Sequence, residues 1–440
     1  MESSFSYEKA WFIFSLTILS FGYGFASHAW SLFPKSYVEQ AWRQGRQVLD
    51  RGSTGGAYSH KTVFERAGAR VLKPEKVQPG MIAITSWWKT PDSQRVWMKL
   101  VDRQGGVLHE WPVNRMQVFE GGLFQRRDPG GTDIHGSLLL PDGDIVINLE
   151  YVGMARLNSC GEVQWTLTEG NHHSITRAED GSFWVPGVSQ KPRTGTKQHP
   201  DLPGLESIWL DRILHVSGKG TVLKDIKVVD ILYANDLERF LFQHDLTKED
   251  VTHINDIEPL SPSLASEYPQ FEAGDLLVSL RHINLVFVFD PESLEVKWHA
   301  SDPFIWQHDP DFIEDGWIGI FDNNRIRGKT GGGSRIIAFR PHTNSKKVLF
   351  RGKHLERFYT RHRGKWQMLE NGNLLLTEEE AGRTVEVSPD GKPVWEWVHE
   401  PYGSRVSSVT KATRHDLTRQ EIASWPCSSV DSDITPSQSQ

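Results

Sequence analysis

The sequence has 440 residues, of which 38% are hydrophobic and 24% charged, and it is rich in tryptophan, with 17 copies. A chain of this length forms one large repeat domain or two ordinary domains, and its two cysteines, Cys160 and Cys427, permit one disulfide but no paired-cysteine zinc knuckle. A formal net charge of −7 argues against a surface that binds nucleic acid, although a small anion can still bind in a local cationic pocket.

The N-terminal segment is apolar and uncharged. No Asp, Glu, Lys or Arg occurs from Trp11 to Pro34, a run that is long enough to span a bilayer as a helix. A cleavable signal peptide is the alternative, because small residues occur near its end at Ala26 and Ala29. We expect an uncleaved single-pass membrane anchor over residues 1–34. The basic residues leave the orientation of this helix open. The positive-inside rule, applied to them, keeps the next domain in the cytoplasm, whereas large domains cross the membrane regardless of such charges.

Three further segments follow the apolar one. Residues 35–79 are expected to form a short helix and a linker that contains the flexible run Gly52–Gly56. Residues 80–405 hold two repeated phrases and are expected to form one domain. Residues 406–440 are expected to form a C-terminal tail, whose polar, low-complexity end is predicted to be disordered.

A histidine recurs at the start of the first repeated phrase. In the segments that begin at His135, His173 and His308, the imidazole lies seven residues before an Asp-Gly turn, and an apolar strand follows. His253 opens a longer copy with an insertion, and a fifth copy keeps the turn but has Gly364 in place of the histidine. Because repeats put equivalent positions in equivalent places, these histidines are expected to form a ring.

The second phrase is a hairpin, and it occurs six times. Each copy has an apolar strand, a turn with Gly, Asn or Asp, and a second strand that in the clear copies ends in Trp. The clear copies start at Met98, Met154, Leu285 and Thr384 and reach Trp111, Trp165, Trp298 and Trp395; the weaker ones start with Ser207–Leu210 and Ile336–Phe339. About four short strands per copy, with alternating polarity, predict an all-β fold, a six-bladed β-propeller preceded by the N-terminal transmembrane or signal helix.

The propeller architecture brings the histidines together. The first strand of every blade lines the central channel, so the residues that enter these strands lie near one channel mouth. The alternative role for each histidine is structural, a hydrogen bond between neighbouring blades. We expect that role for His135, because its neighbours Gly136 and Ser137 offer no chemistry.

Other polar residues accompany the histidines. Asn255 follows His253 by two positions, so strand alternation would turn both side chains the same way. Arg281 ends an apolar strand, where a buried guanidinium needs an anionic partner. The run Asp322–Arg325 adds polar groups to the same rim. Several neutral imidazoles with one guanidinium indicate a site for a small tetrahedral anion.

These residues carry a resemblance to a known family. His253 and Asn255, together with Ser279–Arg281, Gln307–Asp309 and Phe321–Asn323, resemble the arylsulfotransferase family over residues 130–400. The resemblance implies a six-bladed propeller that transfers a sulfuryl group from an aryl sulfate to a phenol through a sulfohistidine, without a nucleotide sulfate donor. No cofactor and no metal are expected, and the partners are small molecules and the membrane, not nucleic acid.

The resemblance also implies roles for particular residues. His308 would be the nucleophile, and His253 would be the general acid/base at the phenol oxygen. Arg281 and His173 would bind the sulfate oxygens, and Asn255 and Asn323 would complete the substrate-binding residues. Known members are exported, which places the propeller outside the cytoplasm, in the periplasm or the extracellular space.

The sequence departs from the best-known members in two respects. They have a sizeable β-domain before the propeller, and they can carry a disulfide close to the nucleophile, whereas neither cysteine here is near His308. Dimerisation through that domain and a redox requirement are therefore not carried over.

Two other functions are compatible with the residues. Three of the histidines could bind Zn²⁺ in a metal-dependent propeller lyase or hydrolase. The chain could also be a non-catalytic, membrane-tethered propeller that binds a partner across its face.

Overall fold

The computed structural model describes residues 7–29, 58–90, 94–114, 118–119, 132–200, 202, 207–243, 249–325 and 332–428. The chain divides into two compact units, Met1–Ser59 and His60–Gln440. The helix and linker expected after residue 34 lie outside the described residues up to position 57, and so does most of the low-complexity end of the tail.

The described part of the first unit consists of helix α1 (Tyr7–Ala29) and residues 58–59. Its segment Tyr7–Ser27 is long and apolar enough to cross a membrane, and an N-terminal signal sequence meets the same criterion. Large apolar side chains such as Trp11, Phe12 and Leu19 are exposed along it. The predicted N-terminal apolar helix is thus confirmed, and by its length and composition it is compatible with a membrane span and with a signal sequence.

The second unit is a six-bladed β-propeller, as the two repeated phrases predicted. Blade 1 consists of β27 (Val409–His415), β3 (Met81–Lys89), β4 (Gln94–Val101) and β5 (Val107–Trp111). Blade 2 consists of β6 (Ile134–Leu139), β7 (Ile145–Leu149), β8 (Gly153–Leu157) and β9 (Val163–Leu167). Blade 3 consists of β10 (Thr176–Arg177), β11 (Phe183–Val188), β12 (Asp211–Val216) and β13 (Val222–Lys227).

The other three blades follow the same antiparallel order. Blade 4 consists of β14 (Ile254–Pro259), β15 (Leu276–Leu280), β16 (Leu285–Phe289) and β17 (Val296–Ala300). Blade 5 consists of β18 (His308–Ile313), β19 (Trp317–Asp322), β20 (Arg335–Arg340) and β21 (Ser345–Phe350). Blade 6 consists of β22 (Lys365–Met368), β23 (Leu374–Glu378), β24 (Arg383–Val387), β25 (Pro393–Val398) and, at its outer edge, β2 (Gly68–Val71).

A few elements lie outside the blades. Strands β1 (Ser59–Lys61) and β26 (Arg405–Ser407) form a two-stranded sheet. The short helices are α2 (Val228–Ala234), α3 (Pro262–Ala265) and α4 (Arg419–Ser424), and single 3-10 turns occur at Pro74–Lys76, Glu238–Gln243, Glu314–Gly316, Pro341–Thr343 and Glu379–Ala381. In the third hairpin copy the strand lies at Asp211–Val216, after the Ser207–Leu210 segment that the sequence indicated.

Strands from both ends of the expected domain complete the ring. Strand β27, which follows residue 405, is the inner strand of blade 1 and pairs with β3 from the N-terminal side. Strand β2, which precedes residue 80, pairs with β25. Closing a propeller with strands from both ends makes the ring continuous, because a blade assembled from one terminus alone leaves an open edge.

The hydrophobic core lies between adjacent blades. One buried cluster joins β11 and β12 of blade 3 to β15 and β16 of blade 4, and another joins blade 4 to β18–β20 of blade 5. Every residue of β15 and β16 is buried. Neighbouring blades cover both faces of these two middle strands, so Ser279 is their one polar residue.

The repeated Trp ties three of the blades to the next blade. Trp111 at the end of blade 1 donates from Nε1 to the carbonyl oxygen of Gly143 in blade 2, at 3.0 Å. Trp165 of blade 2 donates to Gly218 of blade 3 at 3.1 Å, and the bond from Trp395 in blade 6 closes the circle at a turn of blade 1. The second phrase thus specifies blade-to-blade contacts as well as strands.

Cys160 and Cys427 form a disulfide, with an S–S distance of 2.02 Å. The bond joins the turn between β8 and β9 to the segment after α4. Trp425 in that segment lies near Trp111, with ring centroids 6.1 Å apart. The C-terminal segment is therefore fastened to blades 1 and 2 by a covalent bond and by aromatic packing.

Candidate active site

The structure brings all four repeated histidines together at one mouth of the central channel. The ring centroids of His135 and His173 are 3.9 Å apart, and those of His173 and His253 are 4.8 Å apart. His308 lines a small cavity together with His135, His173 and Asn255. These residues open the inner strands of blades 2 to 5, so the predicted convergence at one channel mouth follows from the blade repeat.

β-Bulges at the start of the inner strands aim side chains into this cavity. The register shifts between Ile254 and Asp256, which leaves Asn255 as the extra residue, and the same happens at His135 in β6 and at Thr410 in β27. All three of these residues line the cavity. A bulge re-aims a side chain, so simple alternation, from which we expected His253 and Asn255 to point the same way, does not hold here.

The backbone at two of the histidines is left-handed and is held by neighbouring blades. His173 has a φ of 56° and His253 a φ of 52°. The Asn148 side-chain amide donates to the carbonyl oxygens of residues 172, 173 and 174, at 3.0–3.3 Å. The Asp211 carboxylate accepts from the backbone N–H of Ile254 at 2.8 Å. Such backbone strain persists only where surrounding bonds fix it, and it is concentrated at functional sites.

The tautomer of His308 is fixed by its surroundings. Its Nδ1 lies 2.7 Å from Oδ1 of Asn323 and 3.0 Å from the carbonyl oxygen of Trp306, and both atoms are acceptors. The Asn323 amide cannot be turned round, because its Nδ2 donates to the carbonyl oxygens of Thr360 and Arg363. Nδ1 of His308 therefore carries the proton, and Nε2 keeps its lone pair.

Nε2 of His308 is buried and has no hydrogen-bond partner among the described residues. Burial and the Arg281 guanidinium hold the pKa of this imidazole well below 6.5, although the bond to Asn323 raises it. A neutral imidazole with an unused Nε2 lone pair is a competent nucleophile near neutral pH.

His253 is paired with an acid that the sequence did not single out. Nδ1 of His253 lies 2.7 Å from Oδ2 of Asp250, and Nε2 lies 3.2 Å from Nε2 of His173. The carboxylate holds the proton on Nδ1, so Nε2 of His253 is an acceptor. Burial and Arg281 lower the pKa of His253 well below 6.5, against the opposing effect of Asp250.

The imidazole contacts continue into the core. Because Nε2 of His253 accepts, Nε2 of His173 must donate; Nδ1 of His173 then accepts from Nδ1 of His172, 2.6 Å away. Nε2 of His172 lies 3.8 Å from a carboxylate oxygen of Asp211. A line of three imidazoles thus runs between two carboxylates. Burial and the neighbouring imidazoles lower the pKa of His173 well below its usual value, which favours its neutral form.

Arg281 is a buried guanidinium whose charge is not matched by an adjacent acid. Its side chain is 9% exposed, its Nε has no hydrogen-bond partner among the described residues, and no described carboxylate lies within 4.0 Å of it. Burial lowers its pKa to about 10, against the more distant charges of Asp250 and Glu150. By contrast, Lys365 beside the cavity is paired with Asp256 and Asp309.

The two asparagines of the sequence prediction lie at the cavity in different ways. Asn255 lines it and donates from Nδ2 to the carbonyl oxygen of Gln307, at 2.8 Å, next to the backbone of His308. Asn323 instead holds His308 from behind. The geometry therefore suits an orienting function for both residues, and a direct substrate contact stays a prediction.

Gly364 explains why the fifth repeat has no histidine. Its φ is 105°, and a Cβ atom at this position would lie 2.4 Å from Cε1 of Phe321. Both the backbone and the available space exclude a side chain. The glycine leaves room at the wall of the cavity beside His308.

Asp250, His253 and His282 have ligand atoms within 4.8 Å of one another, a spacing that a metal ion could use. However, Nδ1 of His253 is engaged by Asp250, and Nδ1 of His282 lies 2.8 Å from the carbonyl oxygen of Asp250. Nε2 of His282 accepts from the Arg281 guanidinium at 2.8 Å. The donor atoms are committed to hydrogen bonds beside a fixed positive charge, so the group fits a metal ion poorly.

Sequence reasoning missed several residues of the site. His172, Asp250 and His282 all contact predicted site residues. The His172-His173 pair and the Asp250-x-x-His253 spacing were visible signals. His282 could not be recognised, because its contact with Trp306 joins two blades. The sequence indicated Trp306 as an aromatic residue near the channel that could stack on an aryl substrate, with core packing as the alternative. His135, for which a scaffold role was expected, packs directly against His173.

Comparisons with known proteins agree with the repeat pattern. A family model described as arylsulfotransferase (ASST) matches residues 136–400. A search of curated proteins gave no match.

Among solved structures, a protein of unknown function from Bacteroides caccae aligns at 13% identity with a TM-score of 0.48, over 73% of this chain and 94% of that one. A streptogramin B lyase aligns at 12% identity with a TM-score of 0.40, over 76% and 98% of the two chains. A hydrazine synthase from Kuenenia stuttgartiensis aligns at 13% identity with a TM-score of 0.39, over 67% and 71%. None of the three similarities bears on the reaction.

Proposed function

The chain belongs to the arylsulfotransferase family, and from this premise we propose that it transfers a sulfuryl group from an aryl sulfate to a phenol through a sulfohistidine on His308. Membership supports an arylsulfotransferase-like enzyme; the covalent intermediate and the residue roles are the proposal. The observation that carries the proposal is the buried Nε2 of His308. Hydrogen bonds fix the proton on Nδ1, so Nε2 keeps an unused lone pair.

In the first half-reaction, the Nε2 lone pair of His308 attacks sulfur. His253 takes up a second proton, on Nε2, when the anionic donor binds. As the bond from sulfur to the aryl oxygen breaks, the oxygen leaves with the electron pair and takes that proton, which leaves His253 neutral. The imidazole then carries a proton on Nδ1 and a sulfuryl group on Nε2, so the ring becomes positive. Asn323 Oδ1 and the Trp306 carbonyl oxygen face that charge and stabilise it.

The second half-reaction reverses these steps with a new phenol. His253 takes the hydroxyl proton as the phenol oxygen attacks sulfur, and the N–S bond breaks to return its electron pair to Nε2 of His308. An aryl sulfate and a phenol thus give a phenol and a new aryl sulfate, with no net gain or loss of protons. Asp250 keeps the proton on Nδ1 of His253 throughout, so Nε2 alone exchanges protons.

Arg281 and His173 would bind the sulfate oxygens. Arg281 is a buried cation with an unused Nε donor, and such a group gains most from an anion that enters its site. His173 offers a proton on Nε2 in the tautomer that its neighbours impose. These two donors approach from blades 3 and 4, and the nucleophile approaches from blade 5.

The N-terminal helix and the disulfide support a location outside the cytoplasm. Helix α1 would act as a single-pass anchor, and the Cys160–Cys427 bond suits an oxidising compartment such as the periplasm or the extracellular space. Protease protection of the propeller in intact cells, with and without permeabilisation, tests this location.

The function is tested with 4-nitrophenyl sulfate and phenol. Nitrophenol release with formation of phenyl sulfate is expected, and with donor alone one SO₃ unit should add to the peptide that contains His308. His308→Gln should abolish both, whereas His109→Gln, which alters a buried histidine of blade 1, should keep both. Undiminished turnover by His308→Gln would refute the nucleophile. A stoichiometric metal that is lost together with activity would instead indicate the metal-dependent reaction.

A further inference from the structure

Cationic and aromatic side chains surround Trp306 beside the nucleophile. The guanidinium carbon of Arg325 lies 3.5 Å from the centre of the Trp306 ring, and that of Arg281 lies 4.6 Å from it. The ring of His362 is 5.5 Å away. The carbonyl oxygen of Trp306 accepts from Nδ1 of His308, so this group of side chains adjoins the reacting nitrogen.

These cations act on one another. Arg325 contributes to the lowered pKa of Arg281, and Arg361 contributes to that of Arg325, in each case after burial. All three arginines, together with burial, hold the pKa of His362 at about 4. Half-buried Glu380 lies beside this group: its carboxylate accepts from the backbone N–H of Arg361, and its charge acts on Arg325 and Arg361. One carboxylate does not balance three guanidinium groups, and like charges gathered in this way are costly unless a further anion joins them.

The reaction itself accounts for one of these charges. A sulfate monoester carries a single negative charge, and buried Arg281 with the imidazoles of His173 and His253 suffices to bind it. Arg325 is partly buried and Arg361 is exposed, so both lie further out than the buried reacting groups. The positive charges of Arg325 and Arg361 are therefore not needed to bind the sulfuryl group.

We propose that Arg325, Arg361 and Trp306 form a second anion subsite, which binds a carboxylate on the aromatic substrate while its oxygen is at His308. The inference rests on the proposed sulfuryl transfer and narrows its substrates to aryl sulfates or phenols with an additional anionic group. Half-buried Trp306 holds the guanidinium of Arg325 against its ring, and the two arginines offer donors to the carboxylate.

The test compares para-hydroxyphenylpropanoate with its primary amide, because the two phenols have nearly the same acidity and differ in charge. With 4-nitrophenyl sulfate as donor, kcat/KM should favour the acid by about 5- to 20-fold at low ionic strength, and salt should reduce the ratio. The sulfate esters of the same two compounds, with phenol as acceptor, form the donor arm. A preference in either arm supports the subsite and shows which substrate uses it.

Three variants localise the effect. Arg325→Gln and Arg361→Gln should each move the acid-to-amide ratio towards one, and Arg361 is exposed, so its replacement does not endanger folding. Arg340→Gln is the matched control, because Arg340 stacks on Trp317 at the opposite end of the β19–β20 hairpin. Its ratio should equal that of the wild type.

The outcomes separate this inference from the proposed function. Two results would overturn the subsite while sulfuryl transfer stands. One is an equal kcat/KM for acid and amide in both arms, and the other is an unchanged acid-to-amide ratio in both Arg325→Gln and Arg361→Gln. Absence of turnover with every substrate would overturn the transfer. Calorimetry of the two phenols would then still test the subsite. The acid should bind more tightly than the amide only if Arg325 and Arg361 hold the carboxylate.

Discussion

Replacing Asn323 by alanine tests how the structure prepares His308. The change removes the Oδ1 acceptor at 2.7 Å and leaves Nδ1 with only the Trp306 carbonyl oxygen at 3.0 Å. It also releases the carbonyl oxygens that the Asn323 amide holds. The imidazole should then sample the other tautomer, in which Nε2 is protonated and cannot attack.

The magnitude follows from the charge that develops on the ring. A hydrogen bond between neutral groups contributes about 1 kcal/mol, and one to a charged group about 1.5–3 kcal/mol. The imidazole becomes positive as Nε2 binds sulfur, so the larger range applies to the transition state. The rate of the first half-reaction should therefore fall by about 10- to 100-fold, and the remaining acceptor should keep the variant from complete inactivity.

The assay is single-turnover release of nitrophenol from 4-nitrophenyl sulfate with enzyme in excess. Asn373→Ala is the control, because Asn373 is also buried and its amide also bonds a backbone carbonyl oxygen, but in the β22–β23 turn away from the histidines. Both variants should lose some stability, and only Asn323→Ala should lose rate. If Asn323→Ala, while folded, reacts within about twofold of the wild type, Asn323 does not prepare the nucleophile.

Three other outcomes are expected. Burial lowers the pKa of His135 to about 4, so between pH 7 and pH 5 the unfolded chain takes up a proton that the folded chain does not. This group alone should cost about 2 kcal/mol of unfolding free energy on acidification, and urea titrations should show that cost missing in His135→Asn. Asp250→Asn removes the charge that raises the pKa of His253, so a smaller fraction of His253 carries the proton that the leaving oxygen needs; turnover of phenyl sulfate should fall more than that of 4-nitrophenyl sulfate, and an equal fall would contradict the acid role. Loss of the Cys160–Cys427 bond, by reductant or by the double serine variant, should lower the unfolding free energy by up to about 5 kcal/mol in the chain-entropy description, with kcat retained at low temperature.

The repeats made the fold predictable from the sequence. A turn glycine such as Gly143, with a φ of 85°, and the Trp that ends a strand recur because every blade solves the same packing problem. The same logic placed His173, His253 and His308 together, because each opens the inner strand of its blade. Arg281 could be singled out because a guanidinium at the end of an apolar strand is unusual.

What the sequence could not show are contacts between loops that the repeats do not share. The bond from His253 to His173 joins blades 4 and 3, and the pairing of Arg325 with Trp306 and the Asn323 bond to His308 join the chain before or at the start of β18 to the chain after β19. Local patterns carry no information on such pairs, because each depends on the orientation of two loops at once.

The amino-acid pattern alone determined a six-bladed propeller with an apolar N-terminal helix and a ring of histidines, because strand periodicity, turn residues and repeat spacing are local properties. Tertiary structure alone decided which nitrogen of His308 is free, where bulges turn Asn255 and His135, and that Cys160 meets Cys427. Those features depend on distances of a few ångströms between groups that are separate in the sequence, and only the folded chain sets them.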